Sequence, residues 1–217
     1  MNFSRMNYYV PIQQNNVCDK PTLSQPRYIP RILGRRYALT ATAYKYLDIG
    51  IRVESMPCVE LLIGDNRSRI GHLHLTYAIW KTFIERRADI VQFMQAAVPS
   101  SKILIHDLVI DLVSIRKENI VKLTLYNTSM YMKPSTIQFL LELEDCVEQV
   151  CDQLHQNIYI VGEKYKQFVT ILRQNHVTNK SNAVKILHKK YDKTCLVDCE
   201  LLAYASDNIV YDALQNE

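Results

Sequence analysis

The sequence predicts an α+β protein of two tandem antiparallel-sheet-plus-helix units, paired as a pseudo-dimer and followed by a helical C-terminal module. Three observations lead there. Over residues 37–97, and again over 101–156, short alternating segments give way to one long apolar stripe at helical spacing. The two stripes share a register, since Leu75, Trp80 and Phe83 fall at the offsets of Met132, Ile137 and Leu140. After Gln156 the pattern is helical to the end, so residues 157–217 form a separate module.

Residues 1–36 read as a flexible basic arm. They hold Arg5, Lys20, Arg27, Arg31, Arg35 and Arg36 against Asp19 alone, four of the seven prolines and the tract Gln13-Gln14-Asn15-Asn16. That composition opposes a packed core. Such an arm suits sequence-blind phosphate contacts, and equally a solvated tail.

In the first unit, Tyr37 to Val53 alternates as one run. Leu39, Ala41, Ala43, Leu47, Ile49, Ile51 and Val53 mark the core face, and Thr40, Thr42, Tyr44, Tyr46 and Arg52 the other. Val59–Ile63 and Ile70–Leu75 add strands around the turn Gly64-Asp65-Asn66. Thr76 is placed to cap a helix carrying Ile79, Trp80, Phe83, Ile84, Ile90, Val91 and Met94.

The second unit predicts strands over Lys102–His106, Val109–Arg116 and Val121–Tyr126, with turns at Glu118-Asn119 and Asn127-Thr128. Ser135 with Gln138 forms a capping-box pattern after Pro134, and Ile137, Leu140, Leu141, Val147, Val150, Cys151 and Leu154 follow helical spacing. Beyond it, helices are expected over Glu163–Gln174, from a Ser181 cap, and over Leu196–Tyr204, with Asn208–Leu214 a closing strand or helical turn. These short stripes must pack on the repeats, on each other or on a second chain, so a homo-oligomer or protein partner is expected through them.

The run Leu75-Thr76-x-x-x-Trp80-x-x-Phe83, closing a strand block and leading to Ile90 and Val91, resembles the single-stranded-DNA-binding domain of the positive-cofactor-4 family of transcriptional coactivators. The resemblance covers the first unit and, more loosely, the second. It implies a curved antiparallel sheet followed by one helix, dimerised to present two sheets to unpaired DNA.

Strand parity sends Tyr44, Tyr46 and Arg52 to one exposed face, and Lys122 with Tyr126 to another. Aromatics between cations suit single strands, each stacked base contributing about 1–3 kcal/mol. The leading expectation is therefore a sequence-tolerant binder of single-stranded DNA or RNA in replication, transcription or genome protection, as in a virus or mobile element. Its site residues are Tyr44, Tyr46, Arg52, Lys122 and Tyr126, with Arg31, Arg35 and Arg36 on phosphates.

One rival is enzymatic. Gly71-His72-Leu73-His74-Leu75 is similar to the His-hydrophobic-His metal motif of rolling-circle replication initiators, two histidines on one strand face being able to share a divalent ion. The nucleophile candidates Tyr159, Tyr165 and Tyr191, and Tyr77 with Lys81, have no clear match to that pattern, so neither a metal nor catalysis is expected. A protein-binding scaffold is the third reading.

The remaining chemistry narrows quickly. No apolar run approaches the about 20 residues of a membrane span. The N-terminus lacks a signal pattern, so a nuclear or cytoplasmic, intracellular location is expected. Cys18, Cys58, Cys146, Cys151, Cys195 and Cys199 lack zinc-knuckle spacing and read as free thiols. Only five glycines occur, with no Gly-rich phosphate loop, and no cofactor is expected.

Overall fold

The computed structural model describes residues 29–66, 71–95, 102–177 and 179–215. Most of the predicted arm, Cys18 and the start of the Ile70–Leu75 strand lie outside them.

The first unit is a meander of β1 (Arg31–Ala38), β2 (Lys45–Arg52), β3 (Cys58–Asp65) and β4 (Leu73–Thr76), followed by α1 (Tyr77–Glu85) and α2 (Arg87–Gln95). The second repeats it with β5 (Ile103–Ile105), β6 (Leu108–Ile115), β7 (Glu118–Leu125) and β8 (Thr128–Met132), then α3 (Pro134–Glu142) and α4 (Glu144–Gln174). The helices α5 (Lys180–Lys190) and α6 (Leu196–Leu214) complete the chain.

The repeat is closest in the helices. Adding 57 to the bounds of α1 gives those of α3, and 57 added to the first residue of α2 gives the first of α4. Both helices bend at one intervening residue, Arg86 or Leu143, and then continue, with Ile90 N–H donating to Arg86 and Val147 N–H to Leu143. The core is continuous through both units: Trp80, Phe83, Ile90, Ile137, Leu140 and Val147 are all buried against the inner sheet faces. The units also touch directly, β4 packing on β7 and β8, and α2 on α3.

Several elements differ from the sequence reading. The basic arm does not extend to residue 36, because β1 begins at Arg31 and pairs antiparallel with β2. A β-bulge hid it: Leu33 and Gly34 together oppose Gly50, and this one-residue slip reverses the in–out parity between Ile32 and Arg35. Leu33 takes up the distortion in the left-handed region, at φ 54°. The run Tyr37–Val53 is likewise a hairpin. Ala43 turns at φ 52° and Ala43 N–H donates to Thr40 O, while small exposed alanines let the alternation pass through the turn.

In the second unit a fourth strand, β8, follows the turn expected at Asn127-Thr128, over a stretch with no strand expected, and the turns fall at Arg116-Lys117 and Tyr126-Asn127. Thr76 caps α1 as expected, its hydroxyl accepting from Ile79 N–H. The Ser135 capping box is not made. Pro134, with φ preset for a helix, starts α3 two residues earlier, with Lys133 at the N-cap position.

No break follows Gln156, since nothing between His155 and Glu163 removes a helical hydrogen bond, and α4 runs 31 residues. Its Gly162 lies against Pro57, where an added Cβ would meet the ring at 3.2 Å. Asn179 rather than Ser181 caps α5, accepting from Asn182 N–H, and Asn208–Leu214 is part of α6.

The C-terminal stripes are spent inside the chain. Val161, Tyr165, Phe168 and Leu172 of α4 meet Leu201, Ala205 and Ile209 of α6 in the buried core, while α6 packs on β1 and α4 on β2 and β3. Lys164 and buried Asp198 pair at 3.1 Å, and Tyr165 donates to Asp212 at 2.5 Å. No described helix is long and apolar enough to cross a membrane.

Candidate nucleic-acid interface

Each sheet buries one face under helices and leaves the other open. On the first sheet the open face follows from register: Arg36 pairs across Asp48 and Leu62 to His74, and Arg31 pairs with Arg52. These side chains enclose a cavity of about 470 Å³ lined by three arginines, Asp48, Glu60, His72, His74 and Tyr46.

The cations here are matched by acids. Arg36 grips Asp48 with a two-pronged bond at 2.6 and 2.7 Å. Arg31 reaches Glu60 at 3.1 Å and Asp48 at 3.8 Å. Arg52 reaches Glu54 at 3.1 Å and Glu60 at 3.6 Å. His74 Nδ1 stands 3.1 Å from Glu60 Oε1. Burial pushes the Glu60 carboxyl up, yet the bonds and charges of His74 and then Arg31 outweigh it and hold it below its usual range. Burial lowers the His72 pKa, helped by the charges of His74 and Arg31.

Tyr46 lies flat across Gly64, where an added Cβ would come within 2.2 Å of its ring. The Arg36 guanidinium covers the ring at 3.8 Å, and the hydroxyl meets His72 Nε2 at 3.1 Å. Tyr46 therefore faces outward but is only 5% exposed, and a base could stack there only by displacing Arg36.

The second sheet carries a matching row. Lys102 pairs with Asp111 at 3.3 Å, Asp111 stands across from Lys122, and Lys122 across from Tyr131. Strand by strand this is the Arg36–Asp48–Leu62–His74 row again, with Tyr131 at the place of His74. The Lys122 ammonium sits 5.9 Å from the Tyr131 ring centre, and that ring is 44% exposed.

The site residues expected from sequence are thus divided. Arg31, Arg36, Tyr46 and Arg52 share the first open face, and Lys122 holds the second. Arg35 does not join them: the bulge turns it to the helix side, where it donates to Gln153 of α4 at 3.3 Å. Tyr44 sits in the β1–β2 turn rather than on a strand face. Tyr126 also leaves its strand, turning at φ 52° to donate to Asp107, and that bond pushes its hydroxyl pKa up.

Sequence reasoning missed Tyr131, concealed in the unrecognised β8, and the acids Asp48, Glu60 and Asp111, which only strand register brings beside the cations. His72 and His74 do share a face, but His72 is engaged by Tyr46, and among the described residues no group of three His, Cys, Asp or Glu could hold a metal. Of the nucleophile candidates, Tyr165 is buried on Asp212 and Tyr77 stacks edge-on against His155. Compared with known proteins, the chain matches no family model and no curated protein.

Proposed function

We propose that this protein is a non-enzymatic, sequence-tolerant binder of unpaired DNA or RNA, held across the open faces of its two sheets in the service of replication, transcription or genome protection. The observation that carries the reading is that each open face sets a cation against an aromatic ring: Arg36 over Tyr46 on the first, and Lys122 beside Tyr131 on the second. Single strands need that combination, because unstacked bases lie on rings while cations follow the phosphates. The likeness to positive-cofactor-4 domains points the same way.

On the first face, phosphate would exchange with Asp48 and Glu60 for the arginines, so binding there requires rearrangement of existing ion pairs. The second face, with its Lys122–Tyr131 pair open to solvent, is the readier surface. A second copy or protein partner has a separate strip in exposed Ile160, Leu196 and Tyr204.

Fluorescence anisotropy with labelled oligothymidine, duplex DNA and RNA tests the reading. Unpaired strands should be preferred over duplex, and Tyr131→Ala should weaken oligothymidine binding roughly 5- to 150-fold, the equivalent of about 1–3 kcal/mol of stacking. A wild-type preference for duplex, or a Tyr131→Ala variant that binds unchanged, would overturn it.

A further inference from the structure

Between Glu163 and Asp192 the chain contains no acidic residue but seven Lys or Arg. This stretch forms the last third of α4 and all of α5, which pack together. Ala183 and Leu187 are fully buried on one side of α5, and helical geometry sets Lys185, His188 and Lys189 on the opposite, exposed side. Lys185 and Lys189 stand one turn apart, about 6 Å along the axis. Lys190 ends the helix, and Lys193 follows in the next turn.

The charge state of this face differs from that of the sheets. Lys180 pairs with Asp207 at 2.6 Å, but among the described residues no carboxylate pairs with Lys185, Lys189, Lys190 or Lys193. Attraction to the helix C-terminus accounts for the cations Lys189 and Lys190 in the last turn, but for neither Lys185 nor Lys193. Four unneutralised ammonium groups on one short segment repel one another, and a polyanion relieves that repulsion.

We infer that the exposed face of α5 is a second binding surface, and that its ligand is the phosphate backbone of a nucleic acid, held without regard to sequence. The alternative polyanion, an acidic membrane surface, fits less well. A helix that settles into a bilayer interface needs an apolar face to insert, and the apolar face of α5 is already packed against α4 and α6. Ammonium groups on flexible stems suit a phosphate backbone, where they take the place of condensed counterions and release them.

The test uses the full chain, its Lys185→Gln/Lys189→Gln/Lys190→Gln variant and the corresponding triple Arg variant, all matched for helicity by circular dichroism. Affinity for oligothymidine is measured from low to moderate salt. The Gln variant should reduce the slope of log affinity against log salt by about 2, at about 0.7 per phosphate contact, and the Arg variant should keep the wild-type slope. An unchanged slope in the Gln variant overturns the proposal. So does binding to phosphatidylserine vesicles that the Gln variant loses while its DNA slope is unaltered. The sheet-face reading fails separately: a slope that falls as expected in a protein that prefers duplex leaves the α5 surface standing and removes the sheets.

Discussion

Arg87 and Glu144 occupy the same position in the two repeats, 57 residues apart, and their side chains meet at 2.8 Å. A residue that touches its own counterpart lies where the two copies meet, so this pair marks the seam between the repeats. Arg87 also donates to Leu141 O, one turn before Glu144.

Because both side chains are part-exposed, the ion pair itself should contribute about 0.2–1 kcal/mol. Arg87→Glu should lower stability by at least that much, and adding Glu144→Arg should restore most of the loss. Urea unfolding of the two single variants and the double variant measures the coupling, and strict additivity would show that the charges do not interact.

Trp80 is 1% exposed, stacks on Phe83 at 6.1 Å, and buries its indole N–H with no hydrogen-bond partner among the described residues. Trp80→Ala should cost about 3–5 kcal/mol. Trp80→Phe should cost much less, because it removes a buried unpaired donor that itself carries a penalty of about 1–3 kcal/mol. Equal losses in the two variants, read from urea midpoints, would mean that a phenyl ring recovers none of the packing lost with the indole.

Gly64→Val should displace the Tyr46 ring, uncover it from Arg36 and cost about 1–3 kcal/mol as an overpacking change. Tyr46→Ala should relieve the strain, so the double variant should be more stable than the sum of the single losses implies. Thermal melts of all three, with acrylamide quenching of tyrosine fluorescence, check both effects.

Acid should weaken the fold in two steps. His72 has a folded pKa below its ordinary 6.5, so the unfolded chain takes up that proton first and stability falls as pH drops below about 6.5. Glu60 has a folded pKa below its ordinary 4.5, so its contribution is present above that value and is lost as pH falls through the folded one. His72→Asn should remove the upper step and Glu60→Gln the lower. Urea midpoints that rise between pH 7 and 5 in the wild type would contradict the sign.

Burial pushes the Cys151 thiol up to about 12, whereas Cys146, five residues earlier on the same helix, is exposed. Brief iodoacetamide treatment at neutral pH should label Cys146 and leave Cys151 unmodified until urea is added. Peptide mass spectrometry distinguishes the two.

The sequence made the helices legible because their signals are local. The stripe through Trp80 and Phe83, its echo at Ile137 and Leu140, and the Thr76 cap are all read within a few turns. The strands were legible where alternation was unbroken and lost where it was not: the bulge at Leu33-Gly34 inverted the parity of β1, and β8 was too short to stand apart from its turn. For the candidate site, Tyr46, Arg52 and Lys122 were found from parity alone, and Arg31 and Arg36 only as charges of the basic arm. Their neutralising neighbours were not, because Asp48 and Glu60 come opposite the arginines only through pairing between distant strands.

The duplication within one chain has a consequence for the two open faces. In a homodimer, symmetry obliges both faces to be identical, and a ligand with a direction, such as a nucleic-acid strand, has two equal-energy ways to lie across them. Here the two halves are free to diverge, and they have: one face is built from arginines, histidines and matched acids, the other from Lys122 and Tyr131. For a strand bound across both faces, as proposed above, the two orientations would be unequal and one polarity would be favoured. The pairing of the halves is also independent of protein concentration, since neither has to find the other in solution.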